Sequence, residues 1–388
     1  MTRRAIITTV HPYDQGVVVG SHHIAQVLAH RGWQVLLLTD PASLAHATAA
    51  PFNQRAARRM AEARKGLVEV APNLKTLTPF TLLPLSGRVG AGSPFILENW
   101  CRMCLPPLGA QLAAAGFDAP DLMMFDGALC RPLRGILRPK KTALRLFDFP
   151  DGANVLPGAL SAQERALAAE CDVVAISARE LEPIARQWNA RDIVLVENGV
   201  DPGHFAPPAA LPREYGAIPG PRVLYMGAIA RWIDHEMMAE VARAMPDVSF
   251  IWIGPGKLAS GGDLPNVHVL GPRSYRDLPG YLQHASVGVI PFNRASHADL
   301  VNAVNPLKLY EYAAAGLPIV ATPTAEIRRI GGPVRLADDA AGFVAALREA
   351  ISAPEARQTL QAFAASASWD RRTAPLLARL GLVEGSAA

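Results

Sequence analysis

Short apolar runs recur along the chain, separated by stretches of helical character. Residues 5–10, 35–39, 67–70, 122–125, 143–147, 173–176 and 193–196 read as strands. A proline-rich break follows (Pro202, Pro207, Pro208, Pro212, Pro219, Pro221), and the pattern restarts at 223–226, 249–253, 267–270, 287–291, 319–321 and 334–336. Strands alternating with helices imply parallel sheets of βαβ units. Two such series divided by a proline-rich break imply an α/β protein of two doubly wound, Rossmann-like domains. The sequence predicts a first domain over 1–205, a second over 206–366, and a terminal helix and tail over 367–388. Ligands of such sheets bind beyond the carboxyl ends of the strands, so the crevice between the domains is the expected site.

Residues 305–322 carry the sharpest chemistry. Asn305 suits a helix N-cap and Pro306 the first helical position. Gly316 fits a left-handed C-terminal cap, and Pro318 stops the helix. The run 319–321 is short, apolar and partly β-branched, as in a parallel strand covered on both faces. Lys308 sits in the first turn, where the helix dipole disfavours a cation. A bound anion accounts for it, because free N–H groups, dipole and ammonium then converge on a phosphate. Glu311, one turn on, shares the face of Lys308 and suits ribose hydroxyls as a hydrogen-bond acceptor. An amphipathic helix with a solvated Lys–Glu pair is the plain alternative.

This stretch resembles the donor-site helix of GT-B glycosyltransferases, with its Lys-x-x-Glu-(Tyr/Ala)-x-Ala-x-Gly-x-Pro-(Ile/Val)-Val pattern. The resemblance implies that Asn305, Lys308, Tyr310 and Glu311 bind a nucleotide-sugar donor. Asn198-Gly199-Val200-Asp201, with Phe205, resembles the family's element at the domain junction; as a sequence it is a turn signal, and it receives no chemistry. The loop 227–234 resembles the one that approaches the donor diphosphate. There Gly227 permits close backbone approach and Arg231 is placed to clamp a phosphate, with a solvated arginine as the alternative. Residues 254–257 lack P-loop spacing. The segment 367–372 opens a last helix, which in the resemblance crosses back to the first domain.

The first half is less specific. Its first loop, 8–23, has no GxGxxG, which argues against a dinucleotide dehydrogenase. Gly16 and His22 are the candidates there for an acceptor pocket, against an ordinary buried histidine. The run 143–147 ends in two acids, Asp148 and Asp151, where a general base belongs. Asp148 resembles in position the base of inverting enzymes of the xanthan glucuronosyltransferase type. Asp151 is assigned to the acceptor side, and a turn cap is the alternative for both. The retaining GT-B pattern, a Glu-x7-Glu pair, requires Glu at position 303; this chain has Ala303, which favours inversion.

Bulk properties narrow the partners. The 388 residues suffice for two domains, and half are hydrophobic, which argues against disorder. A net charge of +4 is too diffuse to suggest nucleic acid. Four cysteines, with a single C-x-x-C at Cys101 and Cys104, fit reduced thiols and hence the cytoplasm. No stretch is apolar and long enough to cross a bilayer. The basic run 53–65, near apolar segments 79–84 and 87–100, suggests an anionic membrane surface, with a solvated helix face as the alternative.

The chain is therefore similar to GT-B glycosyltransferases of the xanthan glucuronosyltransferase and teichuronic acid type. The resemblance implies inverting transfer of a sugar from a nucleoside-diphosphate sugar such as a UDP-sugar. The acceptor it implies is a lipid-linked saccharide in exopolysaccharide or cell-envelope synthesis, handled peripherally on the inner face of the membrane. No Asp-x-Asp metal motif occurs, and neither metal nor cofactor is expected. A sugar-nucleotide 2-epimerase on the same fold and a non-catalytic sugar-nucleotide-binding subunit are the alternatives.

Overall fold

The computed structural model describes residues 2–13, 16, 18–83, 85, 93–147 and 158–383. In chain order the first ten strands are β1 (Arg4–Thr9), β2 (Gln34–Thr39), β3 (Ala42–Ser43), β4 (Val68–Ala71), β5 (Leu74–Leu77), β6 (Phe80–Thr81), β7 (Leu122–Phe125), β8 (Lys141–Leu146), β9 (Val173–Ile176) and β10 (Ile193–Leu195). Eight of them form one sheet in the order β10-β9-β8-β7-β1-β2-β5-β4, while β3 and β6 pair separately. The central strands β1, β2, β7, β8 and β9 are buried almost throughout, the burial expected of strands covered on both faces.

One expectation is corrected here. The run at 67–70 is a strand, β4, but it joins the sheet antiparallel, at the edge, and β5 rather than β4 is the partner of β2. Asn73, at φ 64°, makes the tight turn between β4 and β5. Lys75 and Thr76 break the apolar run of β5 and hide it from a hydrophobic reading.

The remaining strands are β11 (Arg222–Met226), β12 (Ser249–Ile253), β13 (Val267–Gly271), β14 (Val287–Ile290), β15 (Ile319–Ala321) and β16 (Val334–Leu336). They form an all-parallel sheet ordered β13-β12-β11-β14-β15-β16. Its core includes Tyr225, Phe250, Trp252, Tyr312 and Phe343, all at most 3% exposed. Tyr312 fixes the helix Leu307–Ala315 to this sheet: its Oη accepts from the Met226 N–H at 2.9 Å, and its ring lies where any side chain on Gly288 would stand.

The chain divides into two units. One takes in the chain to Ser177, Leu181–Val196 and the end from Thr373 onward; the other takes in Ala178–Glu180 and Glu197–Arg372. The last helix, Trp369–Arg379, thus changes unit within its length. In the first unit its Arg379 forks onto Asp192, with both N···O distances under 3 Å.

Candidate functional site

In the second unit the chemistry gathers where β11 and β12 end. The Gly227 N–H donates to the Ile253 carbonyl at 2.8 Å, and a Cβ on Gly254 would lie 1.9 Å from the Gly227 carbonyl oxygen. The two exits are therefore in backbone contact, which only glycine at 254 permits, at φ 147°. Lys308 reaches this place from the helix Leu307–Ala315. Its Nζ lies 3.2 Å from where a Gly227 Cβ would be, 4.8 Å from the ring centre of Tyr225 and 5.5 Å from that of Phe292. Two aromatic faces thus hold the ammonium. Among the described residues no oxygen accepts a hydrogen bond from it.

Glu311, one turn further along, is 8% exposed. Burial pushes its carboxyl up to about 7, and Lys308 opposes the shift. Burial likewise pushes the Lys308 ammonium down to about 8, against the pull of Glu311. Each group is poised near neutrality, as functional sites commonly are. Lys308 and Glu311 present a cation and an acceptor side by side beside a bare backbone, a combination suited to a phosphate and a hydroxyl. Arg231 is exposed on the same loop as Gly227.

Two predicted donor residues are placed elsewhere. Tyr310 follows Lys308 by two positions and so faces away from it. It is fully buried, stacked on Phe363 with ring centres 5.9 Å apart, and Arg372 lies over its ring. Asn305 is not the N-cap: that position is Pro306, and the helix begins at Leu307. The Asn305 amide instead donates to Glu326 Oε1 at 2.7 Å, and its backbone carbonyl accepts from Asn198 Nδ2 at 2.6 Å. The buried Glu326 carboxylate thus takes the amide N–H, while the cap position falls one residue later, at Pro306. Gly316 does adopt the left-handed cap, at φ 74°.

In the first unit, His22 is fully buried. The Val19 N–H donates to its Nδ1 at 3.4 Å, so the ring proton is on Nε2, which donates to the His11 carbonyl at 2.8 Å. Both nitrogens are committed, and burial lowers the ring's pKa, keeping it neutral. The structure assigns His22 to the join between the first loop and its helix, with no nitrogen left for an acceptor. Gly16, at φ 74°, is part-exposed in that loop. Asp148 and Asp151 lie outside the described residues.

Sequence reasoning missed a charged cluster at the carboxyl ends of the central strands. Asp126 follows β7, and Arg145 Nη1 on β8 meets its Oδ1 at 3.0 Å, both side chains at most 5% exposed. A Cβ on Gly20 would stand 2.3 Å from Arg145 Nη2, so the guanidinium lies directly against the start of helix Gly20–His30. Asp40 follows β2. Burial pushes its carboxyl up to about 6; Arg59 opposes this and Asp126 adds to it. The signal was available: Asp40 and Asp126 each follow an apolar run directly, as Asp148 does.

Residues 220–353 match the family model described as "Glycosyl transferases group 1". Among curated relatives, the chain is 36% identical over 106 residues to "Putative teichuronic acid biosynthesis glycosyltransferase TuaH" of Bacillus subtilis (strain 168), covering 25% of each chain. It is 30% identical over 129 residues to "UDP-glucuronate:glycolipid 2-beta-glucuronosyltransferase" of Xanthomonas campestris pv. campestris, covering 32% of this chain and 31% of that one. The matched part thus spans less than a third of either relative. Among solved structures, sucrose-phosphate synthase from Thermosynechococcus elongatus superposes with a TM-score of 0.67 at 17% identity, over 98% of this chain and 96% of that one. The fold is GT-B.

Removing one partner of a buried ion pair strands the other's charge. Asp126→Ala is expected to cost about 3–5 kcal/mol of stability, measured by urea unfolding with fluorescence. A loss below about 1 kcal/mol, the worth of an exposed pair, would show that Asp126 is not what holds the Arg145 charge in the fold.

Proposed function

We propose that the protein transfers a sugar from a nucleoside-diphosphate sugar to a lipid-linked saccharide, a reading supported by the match of residues 220–353 to the glycosyl transferases group 1 model and by the GT-B fold. The observation that carries this reading is Lys308: an ammonium held on two aromatic faces, beside backbone at Gly227, with no described oxygen bonded to it. A donor diphosphate supplies the missing acceptor, and Glu311 takes the ribose hydroxyls. The likeness to the UDP-glucuronate:glycolipid glucuronosyltransferase supports a donor and acceptor of these classes, and the likeness to TuaH supports glycosyl transfer.

The transfer inverts. The acceptor hydroxyl oxygen attacks the anomeric carbon as the bond from that carbon to the diphosphate breaks. Asp148 takes the hydroxyl proton, and the nucleoside diphosphate leaves with its charge met by Lys308. Ala303, buried at the end of helix Arg294–Asn302, supplies no carboxylate for the retaining arrangement. The chemistry needs no metal if cations and helix N-termini carry the leaving charge.

The acceptor's lipid brings the protein to an anionic membrane surface. Helix Gln54–Lys65 exposes Arg55, Arg58, Arg64 and Lys65, and Phe52 just before it is 92% exposed. Basic residues beside an exposed aromatic suit a headgroup layer. Among the described residues no helix is long and apolar enough to cross a membrane.

Three experiments test this reading. Lys308→Ala is expected to weaken UDP binding by about 1.5–3 kcal/mol in calorimetry, the worth of a charge-assisted hydrogen bond. In the wild type, phosphate should raise the Lys308 pKa from about 8, so binding takes up protons and affinity falls as pH climbs through that value. Unchanged affinity in the variant would remove the donor site from this helix.

Asp148→Asn is expected to lower acceptor-dependent release of nucleoside diphosphate about 10²–10⁴-fold while leaving UDP affinity alone. Near-normal turnover would pass the base role to another carboxylate, with Asp40 the first to examine.

Vesicles of phosphatidylglycerol should retain the protein at low salt and release it as salt rises, because surface charge is screened within about 10 Å at 0.1 M. Phe52→Ser should weaken retention. Equal binding to neutral and anionic vesicles would exclude the electrostatic contribution.

A further inference from the structure

Glu326 lies in the first turn of helix Ala325–Ile330 and is 1% exposed. A carboxylate taken out of water needs strong partners. It has three bonds. Arg329 Nε donates to Oε2 at 2.8 Å, Arg329 Nη2 donates to Oε1 at 2.6 Å, and Asn305 Nδ2 donates to Oε1 at 2.7 Å. Arg329 also pairs with Glu197, whose other oxygen pairs with Arg372. Asn198, next to Glu197, returns to the Asn305 carbonyl at 2.6 Å and closes the circuit.

The ends of this circuit are special places. Glu197 is where the chain enters the second unit for good, and Arg372 is where it leaves. Backbone bonds hold the two segments together: the Val200 N–H donates to Ala367 O at 3.0 Å, and the Trp369 N–H to Val200 O at 3.1 Å. The middle of the circuit, Asn305, is three residues before Lys308 on the same turn into the helix.

We infer that Glu326 is a positioning residue for donor recognition: through Asn305 it sets the turn that delivers Lys308, and through Arg329, Glu197 and Arg372 it ties that turn to both crossing segments. The inference rests on the donor-site reading of Lys308. Its physical basis is specificity of conformation. Apolar residues of similar shape often match or exceed a buried ion pair in stability, so a network this costly is better explained by the single geometry it enforces. A turn with its bonds removed samples other positions, and affinity falls with the fraction of molecules in the competent one.

The test compares UDP affinity with stability. Glu326→Gln keeps the shape but loses the charge that Arg329 and Asn305 converge on. Asn305→Ala keeps the Glu326–Arg329 pair and cuts only its link to the turn. Both are expected to weaken UDP binding about tenfold in calorimetry, well below their melting temperatures, as when a tenth of molecules are competent. Leu347→Val, a cavity in the same unit's core, is the control, and should lower the melting temperature with affinity unchanged. Wild-type affinity in Asn305→Ala would overturn the inference while leaving the donor site standing. So would affinity losses that simply track melting temperature across all three variants. A wild type that binds no UDP or other nucleoside diphosphate would overturn the donor site, and this inference with it.

Discussion

Parallel pairing is the constraint from which the rest follows. Strands that all run one way must all end at one edge, so every loop leaving that edge is brought beside its neighbours. In the second unit this puts the exits of β11 and β12 in backbone contact at Gly227 and Gly254, and leaves a floor with no side chains. Lys308 reaches that floor from the second helix of the crossover between β14 and β15, β14 being the strand on the other side of β11. In the first unit the same geometry gathers Asp40, Asp126 and Arg145 from the carboxyl ends of β2, β7 and β8. Neither cluster is local in sequence, and both are local at a sheet edge.

The protein treats its buried charges in two ways. Asp126 with Arg145, and Glu326 with Arg329, are matched in charge and hydrogen-bonded, so their charges stay within the fold. Lys308 and Glu311 are treated differently. Each feels the other's charge, yet burial dominates both, drawing their titration toward neutral pH. A group kept in that state is costly unless something else binds it. The contrast between satisfied and unsatisfied charge marks the proposed donor site more sharply than residue type does.

Polar residues near the sites divide along the same line. His22 and Asn305 have the chemistry of binding residues and stand beside the right loops. Both are engaged internally, His22 by Val19 and His11, Asn305 through its amide N–H by Glu326 and through its backbone carbonyl by Asn198. Their contribution is to hold loops in place. Tyr310 and Tyr312, two positions apart on one helix, illustrate how spacing sorts roles: one packs on Phe363, the other reaches the strands.

The sequence by itself determined the class of fold, because alternating short apolar runs and helices leave few arrangements other than parallel doubly wound sheets. It also determined that a helix carries Lys308 and Glu311 on one face and ends at a glycine cap, since helical spacing and capping are local properties. It missed β5, whose polar centre breaks the apolar pattern, and it gave Asn305 to the helix cap. Only the tertiary structure decided those, because Asn73 makes a turn no hydrophobic pattern records, and because the partner of Asn305, Glu326, is 21 residues away in sequence. The pairing of Asp126 with Arg145 and the circuit from Glu197 to Arg372 were equally beyond reach. Their partners are brought together by strand order and chain crossing, and a buried charge reveals its worth only once the atom that answers it is known.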